Sequence, residues 1–163
     1  MWFAIKRKVS YTKTYHIQNI KKAMNKPFII GYTTGVFDMF HIGHLNIIRR
    51  AKELCDYLIV GVSTDELVEQ YKHKIPVIPF NERLAIVESC RFVDKAIAQT
   101  TMNKLKAWEE LHFDIMFHGN EWQGTDLYNQ YEKEFAKVGA VIHYLSHTEG
   151  ISSTILREKI KNK

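Results

Sequence analysis

From residue 27 onward the chain alternates between short apolar runs and stretches in which apolar residues return every three or four positions. Phe28–Thr33 reads as a short strand. Tyr57–Val62 (YLIVGV) is wholly apolar, as a strand buried on both faces of a parallel sheet must be. Lys95–Gln99, Asp114–His118 and Ala140–Leu145 predict three more strands. Between them, Leu45–Leu54 puts Ile47, Ile48, Ala51 and Leu54 on one side of a helix. Thr64–Tyr71, Asn81–Phe92, Lys104–His112, Leu127–Val138 and Ser152–Lys161 carry the same period. Ser63 or Thr64 can cap the second of these helices, and Asp65 and Glu66 suit the positive end of its dipole. Pro76 and Pro79 make Lys72–Phe80 a loop.

Strands interleaved with helices predict an α/β domain, a Rossmann-like, doubly wound, five-stranded parallel sheet in one domain. Such sheets bind ligands beyond the carboxyl ends of their strands. The loops to watch are therefore 33–44, 63–66, 99–103, 118–126 and 146–154.

The 163 residues suffice for a single core, and 45% hydrophobic with 25% charged residues excludes a disordered chain. No apolar run approaches the roughly 20 residues of a membrane span. Cys55 and Cys90 are too few for a disulfide framework, so a reducing, cytoplasmic setting is expected. The net charge of +5 is unevenly spread. Residues 1–26 hold seven Lys and Arg and no acid, with Trp2, Phe3, Tyr11 and Tyr15 among them. The rest of the chain is slightly acidic, which argues against a nucleic-acid partner for it. The reading divides the chain into a basic extension, 1–26, and a domain, 27–163. The extension is expected to pack poorly and residues 1–23 to be dispensable, with association with a membrane surface left open.

The loop after the first strand concentrates the chemistry: Thr34, Gly35, Val36, Phe37, Asp38, Met39, Phe40, His41, Ile42, Gly43, His44. Gly35 permits close backbone approach. His41 and His44, three apart at a helix start, face the same way. Free N–H groups and the dipole favour an anion there. A phosphate clamp fits these residues, while a metal pair or plain surface histidines fit the spacing too.

The string G-x-F-D-x-x-H-x-G-H resembles the signature of the HxGH nucleotidyltransferases. Three further stretches extend the likeness to the cytidylyltransferases: Asn81-Glu82-Arg83 running on to Cys90-Arg91-Phe92-Val93-Asp94; His118-Gly119-Asn120-Glu121-Trp122; and Thr148-Glu149-Gly150-Ile151-Ser152-Ser153-Thr154. The resemblance spans about residues 28–161 and is greatest to the glycerol-3-phosphate branch. It implies an enzyme that joins CTP to a small alcohol phosphate, giving a CDP-alcohol and pyrophosphate. The phosphocholine and phosphoethanolamine branches, an adenylyltransferase and a non-catalytic nucleotide-binding module remain as alternatives.

The resemblance implies catalytic roles for His41, His44, Lys72 and Arg91. It implies nucleotide contacts from Thr34, Gly35, Val36, Phe37, Lys74, Gly119, Glu149, Gly150, Ile151, Ser152, Ser153 and Thr154. Acceptor contacts would come from Lys72, Arg83, Trp122 and His147. Mg²⁺ would accompany the triphosphate and meet Asp38 through water. A homodimer with residues 91–94 near its two-fold axis is implied as well. Plainer readings stand beside these: a solvated loop for Lys72 and Lys74, helix capping for Ser153 and Thr154, a turn for Asp38. Trp122, Tyr128 and Tyr131 suit an aromatic cage for a choline group. Two departures matter. His147 replaces the family's arginine, and Asn120-Glu121 replaces its acid pair. Arg157 resembles the adenylyl-transferring relatives.

Overall fold

The structure, a computed structural model, describes residues 16–162. Residues 1–15, with all four of those aromatics of the basic extension, lie outside it. A helical segment over 16–24 (α1) precedes β1 (Ile30–Gly35), α2 (Ile42–Lys52), β2 (Tyr57–Ser63), α3 (Asp65–Lys72), α4 (Phe80–Glu88) and β3 (Lys95–Gln99). Then follow α5 (Lys104–Leu111), β4 (Ile115–Gly119), a 3₁₀ turn (Asn120–Trp122), α6 (Asp126–Lys137), β5 (Val141–Leu145) and α7 (Ser153–Lys161). The five strands pair in the order β3-β2-β1-β4-β5, all parallel. The order reverses between β1 and β4, and the crevice for a ligand opens there.

Two apolar layers hold the sheet. On β2, Leu58, Val60 and Val62 enter one layer with Ile48, Ala51 and Val87 from α2 and α4. Ile59 enters the other with Tyr32, Phe113, Met116 and Phe135, against α5 and α6. The alternation is that of a strand buried on both faces. Side-chain caps start the helices: Thr64 accepts from Leu67 N–H, Asn103 from Leu105 and Lys106 N–H, Thr125 from Tyr128 N–H, and Ser152 from Ile155 N–H.

Most boundaries lie within one or two residues of the sequence reading, and two shift further. Helix α2 begins at Ile42, not Leu45, because a histidine, His41, serves as its cap. Helix α4 ends at Glu88, not Phe92. Residues 90–93 turn so that Asp94 can accept from Leu58 N–H at 2.7 Å and lead into β3. Asp56 and Asp114 cap β1 in the same way, through Ile29 N–H and Ile30 N–H.

These aspartates draw in the basic segment. Lys21 pairs with Asp56 at 2.8 Å, Lys26 pairs with Asp114, and Ile20 and Met24 pack on the core. Residues 16–26 are thus joined to the domain, unlike the poorly packed extension expected. A start at Met24 would strip away Ile20 and the Lys21 pair.

Candidate active site

A cleft of about 280 Å³ opens over the carboxyl end of β1, between α2, the 73–79 loop and the start of α7. Val36, Asp38, His41, His44, Lys72 and Arg157 are among its lining, with Lys74, His147, Ile151, Ser152, Ser153 and Thr154 around its rim. Three segments far apart in sequence meet here: the β1 loop with the start of α2, the end of α3 with the loop after it, and the β5 loop with α7.

The two histidines are set by the backbone. His41 Nδ1 accepts from Gly43 N–H at 3.1 Å, and His44 Nδ1 accepts from His41 N–H at 3.4 Å. With both Nδ1 atoms used as acceptors, each neutral ring carries its proton on Nε2, and both residues line the cleft. The rings stack with centroids 3.8 Å apart, and Phe37 and Phe40 flank His44 at 5.3 and 5.6 Å. Gly43 is needed for this: a Cβ there would stand 2.9 Å from the His41 ring. Phe37 and Met39 have φ of 55° and 48°, a costly conformation for side-chain-bearing residues that marks a loop held by its surroundings.

Burial, reinforced by neighbouring His41, lowers the His44 pKa to about 3. Burial, with the charge of Lys104, takes His118 to about 4. Both are neutral at pH 7. In the unfolded chain a histidine titrates near 6.5, so below that pH the unfolded state binds protons that the folded state does not. Stability is therefore fully present above pH 6.5 and declines as the pH falls toward 4. Thermal denaturation should show a constant Tm from pH 7 to 8 and a fall of about 5 °C by pH 5. An unchanged Tm over pH 5–7 would contradict the burial of these rings.

Cations complete the cleft. Lys72, the last residue of α3, has its pKa lowered by burial and by Arg157 and Lys74 nearby. Arg157 pairs with Asp38. The Asp38 carboxylate also accepts from Val77 N–H at 3.0 Å and Ile78 N–H at 2.9 Å. Burial opposes its ionisation, but these two N–H groups and Arg157 outweigh burial and hold its pKa below the usual carboxylate range. A carboxylate offers about four lone-pair directions, and three are taken. Asp38 thus does not fit as a direct magnesium ligand. It fastens the 73–79 loop and Arg157 to β1's loop. No group of three His, Cys, Asp or Glu among the described residues is arranged to hold a metal.

The α7 end is tied down from two sides. Ser152, rather than the Ser153 or Thr154 of the capping reading, caps the helix, and it also lines the cleft. Ser153 Oγ donates to Asp38 O at 2.8 Å. Asn46 donates to Thr148 Oγ1 at 3.0 Å and Arg50 to Ser146 O at 2.7 Å, which fixes the loop carrying His147 on α2. His147 Nε2 lies 2.5 Å from Glu121 Oε2. That carboxylate folds over Gly119, where a Cβ would stand 2.0 Å from it.

Several expected residues lie elsewhere. Arg91 is exposed, stacks on Phe92 at 4.8 Å, and follows α4 at the edge where β2 and β3 begin, opposite the cleft. The helix returns across the sheet and carries its end away from the ligand edge. Arg83 is 1% exposed. It donates from Nε to Ile78 O, from Nη1 to Val36 O and Ser63 O, and from Nη2 to Asp65. It has no free donor face for an acceptor and acts beneath the cleft floor. Thr34 faces the opposite side of the sheet and accepts from Lys104. Gly35 is packed against the Phe37 ring, and Phe37 itself is in the core. Trp122 lines a different cavity with His118. Glu149 and Gly150 are exposed in the turn before α7, where Gly150 takes φ 75°.

The sequence reading missed Lys104. A lysine in the first turn of a helix opposes the dipole, and that misplacement was the available signal. It also took Arg157 only as a hint about the base, whereas the guanidinium belongs to the phosphate-sized cleft.

The sequence profile of the cytidylyltransferase-like family matches residues 32–159. The glycerol-3-phosphate cytidylyltransferase of Staphylococcus aureus is 36% identical over 138 residues, covering 80% of this chain and 94% of that protein. An ethanolamine-phosphate cytidylyltransferase of Dictyostelium discoideum is 31% identical over 79% of this chain, which spans only 37% of that longer protein. Among solved structures, the lipopolysaccharide core biosynthesis protein of Thermoplasma volcanium superposes with a TM-score of 0.63 at 30% identity, over 74% of this chain and 97% of its own. By the profile match, by these identities and by the shared fold, the chain belongs to the cytidylyltransferase-like family.

Proposed function

We propose that the chain transfers the cytidylyl group of CTP to glycerol 3-phosphate, giving CDP-glycerol and pyrophosphate. The observation that supports this most is the pair of neutral imidazoles, each with its Nδ1 taken by a backbone N–H, in a cleft that Lys72, Lys74 and Arg157 also line. The similarity to proteins named for that reaction agrees with it.

The chemistry needs little else. An oxygen of the acceptor phosphate bonds to the α-phosphorus of CTP, the bond to the bridging oxygen breaks, and pyrophosphate leaves with that electron pair. The nucleophile is already an anion, so no general base is required. What limits the reaction is bringing anion to polyanion and stabilising charge on the leaving group, a matter of positioning and preorganised donors. His41 and His44 donate to the triphosphate, Lys72 and Lys74 close over it from their loop, and Arg157, aimed by Asp38, adds a fixed charge. Ser152 and Thr154 present hydroxyl groups at the α7 start. Mg²⁺ belongs to this reading as a companion of the triphosphate; since Asp38 is committed, the nucleotide's own phosphates would hold it.

The reading includes a homodimer in a reducing cytoplasm, on the base rate of two-fold assemblies and the two unpaired cysteines. Among the described residues no helix is long and apolar enough to cross a membrane. A second reading, phosphoethanolamine as acceptor, is favoured by one observation: the Trp122, Tyr128 and Tyr131 rings lining a cavity beside Gly119.

Pyrophosphate release from CTP or ATP, with glycerol 3-phosphate, phosphoethanolamine or phosphocholine, tests the proposal. We expect CTP with glycerol 3-phosphate to lead, with kcat/KM for CTP at least tenfold above that for ATP. That is about 1.4 kcal/mol, within reach of one or two hydrogen bonds to the base. ATP equal to CTP would refute the base assignment. No release with any pair would leave a nucleotide-binding module. Light scattering on the same sample should give twice the 19.2 kDa chain mass.

A further inference from the structure

The phosphate cleft adjoins a groove of about 410 Å³ on the flank of α7. Lys74, Ile75, Thr154 and Arg157 line both, and Glu158 and Lys161 complete the groove. Arg157, Glu158 and Lys161 follow Thr154 by three, four and seven positions, so one face of α7 forms the wall. Along the helix axis Lys161 lies roughly 10 Å beyond Thr154, at ~1.5 Å per residue. Helical side chains lean toward the N-terminus, and a lysine stem of four carbons spans much of that distance back toward the cleft.

Cations outnumber acids along this route. Lys72, Lys74, Arg157 and Lys161 line the cleft and groove with two carboxylates, Asp38 and Glu158. Asp38 is engaged by Val77, Ile78 and Arg157. Among the described residues no carboxylate pairs with Lys74 or Lys161. Arg157 reaches Asp38 through Nη2, and its other N–H groups bond no described acceptor, which leaves a donor edge for an anion. The crowding is felt at Lys72, whose charged form is disfavoured by burial and then by Arg157 and Lys74. Like charges held this close cost the fold free energy that a bound anion offsets. Lys161 has a plainer role to set beside this, since a lysine in the last turn complements the dipole of its helix. Lys159 fills that role from the same turn, is equally exposed, and does not line the groove.

We propose that the groove is a site for condensed phosphate: it takes up pyrophosphate once the leaving group has parted from the α-phosphorus, with Lys161 completing the set of cations begun by Lys74 and Arg157. This rests on the reading of the chain as a cytidylyltransferase, and it gives the released product a place beyond the histidines. A small polyanion binds through charge-assisted hydrogen bonds and needs no shaped apolar pocket. The groove offers three cations and the Thr154 hydroxyl, and its lining has no aromatic ring on which a nucleobase could stack. Arg157 and Thr154 belong to both spaces, so the product passes from one to the other without losing all its partners.

Isothermal titration of pyrophosphate, and separately of inorganic phosphate, into the full chain, its Lys161→Gln variant and its Lys159→Gln variant tests this, at one fixed ionic strength because salt weakens such contacts. Each variant removes one exposed charge from the same helical turn, and the two differ in the face they alter. We expect Lys161→Gln to weaken pyrophosphate at least about fivefold, the scale of one hydrogen bond to a charged group. Lys159→Gln should change it less than twofold. Inorganic phosphate, small enough for the histidine cleft alone, should change less than twofold in both. Equal losses of pyrophosphate in the two variants would make the effect one of general charge and overturn the proposal. An unchanged affinity in Lys161→Gln overturns it too, as does a wild type that binds no pyrophosphate, and a loss of phosphate as large as that of pyrophosphate overturns the condensed-phosphate assignment. Lys161-dependent binding in a chain that releases no pyrophosphate from any nucleotide would refute the transfer reading and leave the groove standing. Transfer activity without that dependence would refute the groove alone.

Discussion

Replacing His44 by alanine should lower kcat at least ~100-fold while changing KM far less, the usual scale for losing one preorganised donor at developing charge. The ring is placed for that task before any ligand arrives. Its Nδ1 is taken by His41 N–H, the rings of His41, Phe37 and Phe40 pack around it, and the residue lines the cleft with Nε2–H as its remaining donor. Nothing must reorganise when the bond to pyrophosphate breaks. A neutral donor suits the step, since it binds the ground-state polyanion modestly and gains most where charge accumulates on the leaving oxygen. His44→Gln, which keeps an N–H at similar reach, should recover part of the loss. The protein should remain folded, because the ring lines a cleft and its burial disfavours the protonated form. A variant in which only KM rises would assign His44 to uniform binding.

The fold was legible because buried parallel strands and capped helices leave separate marks. YLIVGV has no other plausible home, and the alternation of such runs with 3.6-residue periods sets the sheet and its ligand edge. The histidine loop was legible for a related reason: its chemistry is local, packed into eleven consecutive residues. What sequence could not supply was the direction of long side chains. Arg91 and Arg83 both read as cations on one helix, the first assigned to catalysis and the second to the acceptor. One lies at the wrong end of the sheet, the other points inward. Lys104 was given no role. Asp38 was given a water-mediated contact to Mg²⁺ or a turn role, and neither reading foresaw that its carboxylate holds a loop about 40 residues away. Each of these depends on which backbone groups converge in space, and spacing along the chain does not carry that.

Arg83 gives the sharpest test of this point. Arg83→Met should destabilise the protein by about 3–5 kcal/mol, the range found when one partner of a buried charge network is removed. The side chain is fully enclosed, and its donors reach three carbonyls from separate segments: Val36 in the β1 loop, Ser63 at the end of β2, and Ile78 before α4. Its fourth contact is the Asp65 carboxylate at the start of α3, which in turn accepts from Phe80 N–H at 3.0 Å. Methionine fills much of the volume but leaves these acceptors buried without donors, and each unsatisfied group costs about 1–3 kcal/mol. Lysine keeps the charge but not the planar fork that reaches four acceptors, so Arg83→Lys should recover less than half the loss. Denaturant titration should show a lower midpoint with an unchanged slope. A midpoint within error of the wild type would mean that water replaces the guanidinium without cost. It would return Arg83 to the role of a substrate ligand that the sequence first gave it. If the loss is as large as expected, the 73–79 loop and its lysines owe their position over the cleft to a residue that never touches the nucleotide.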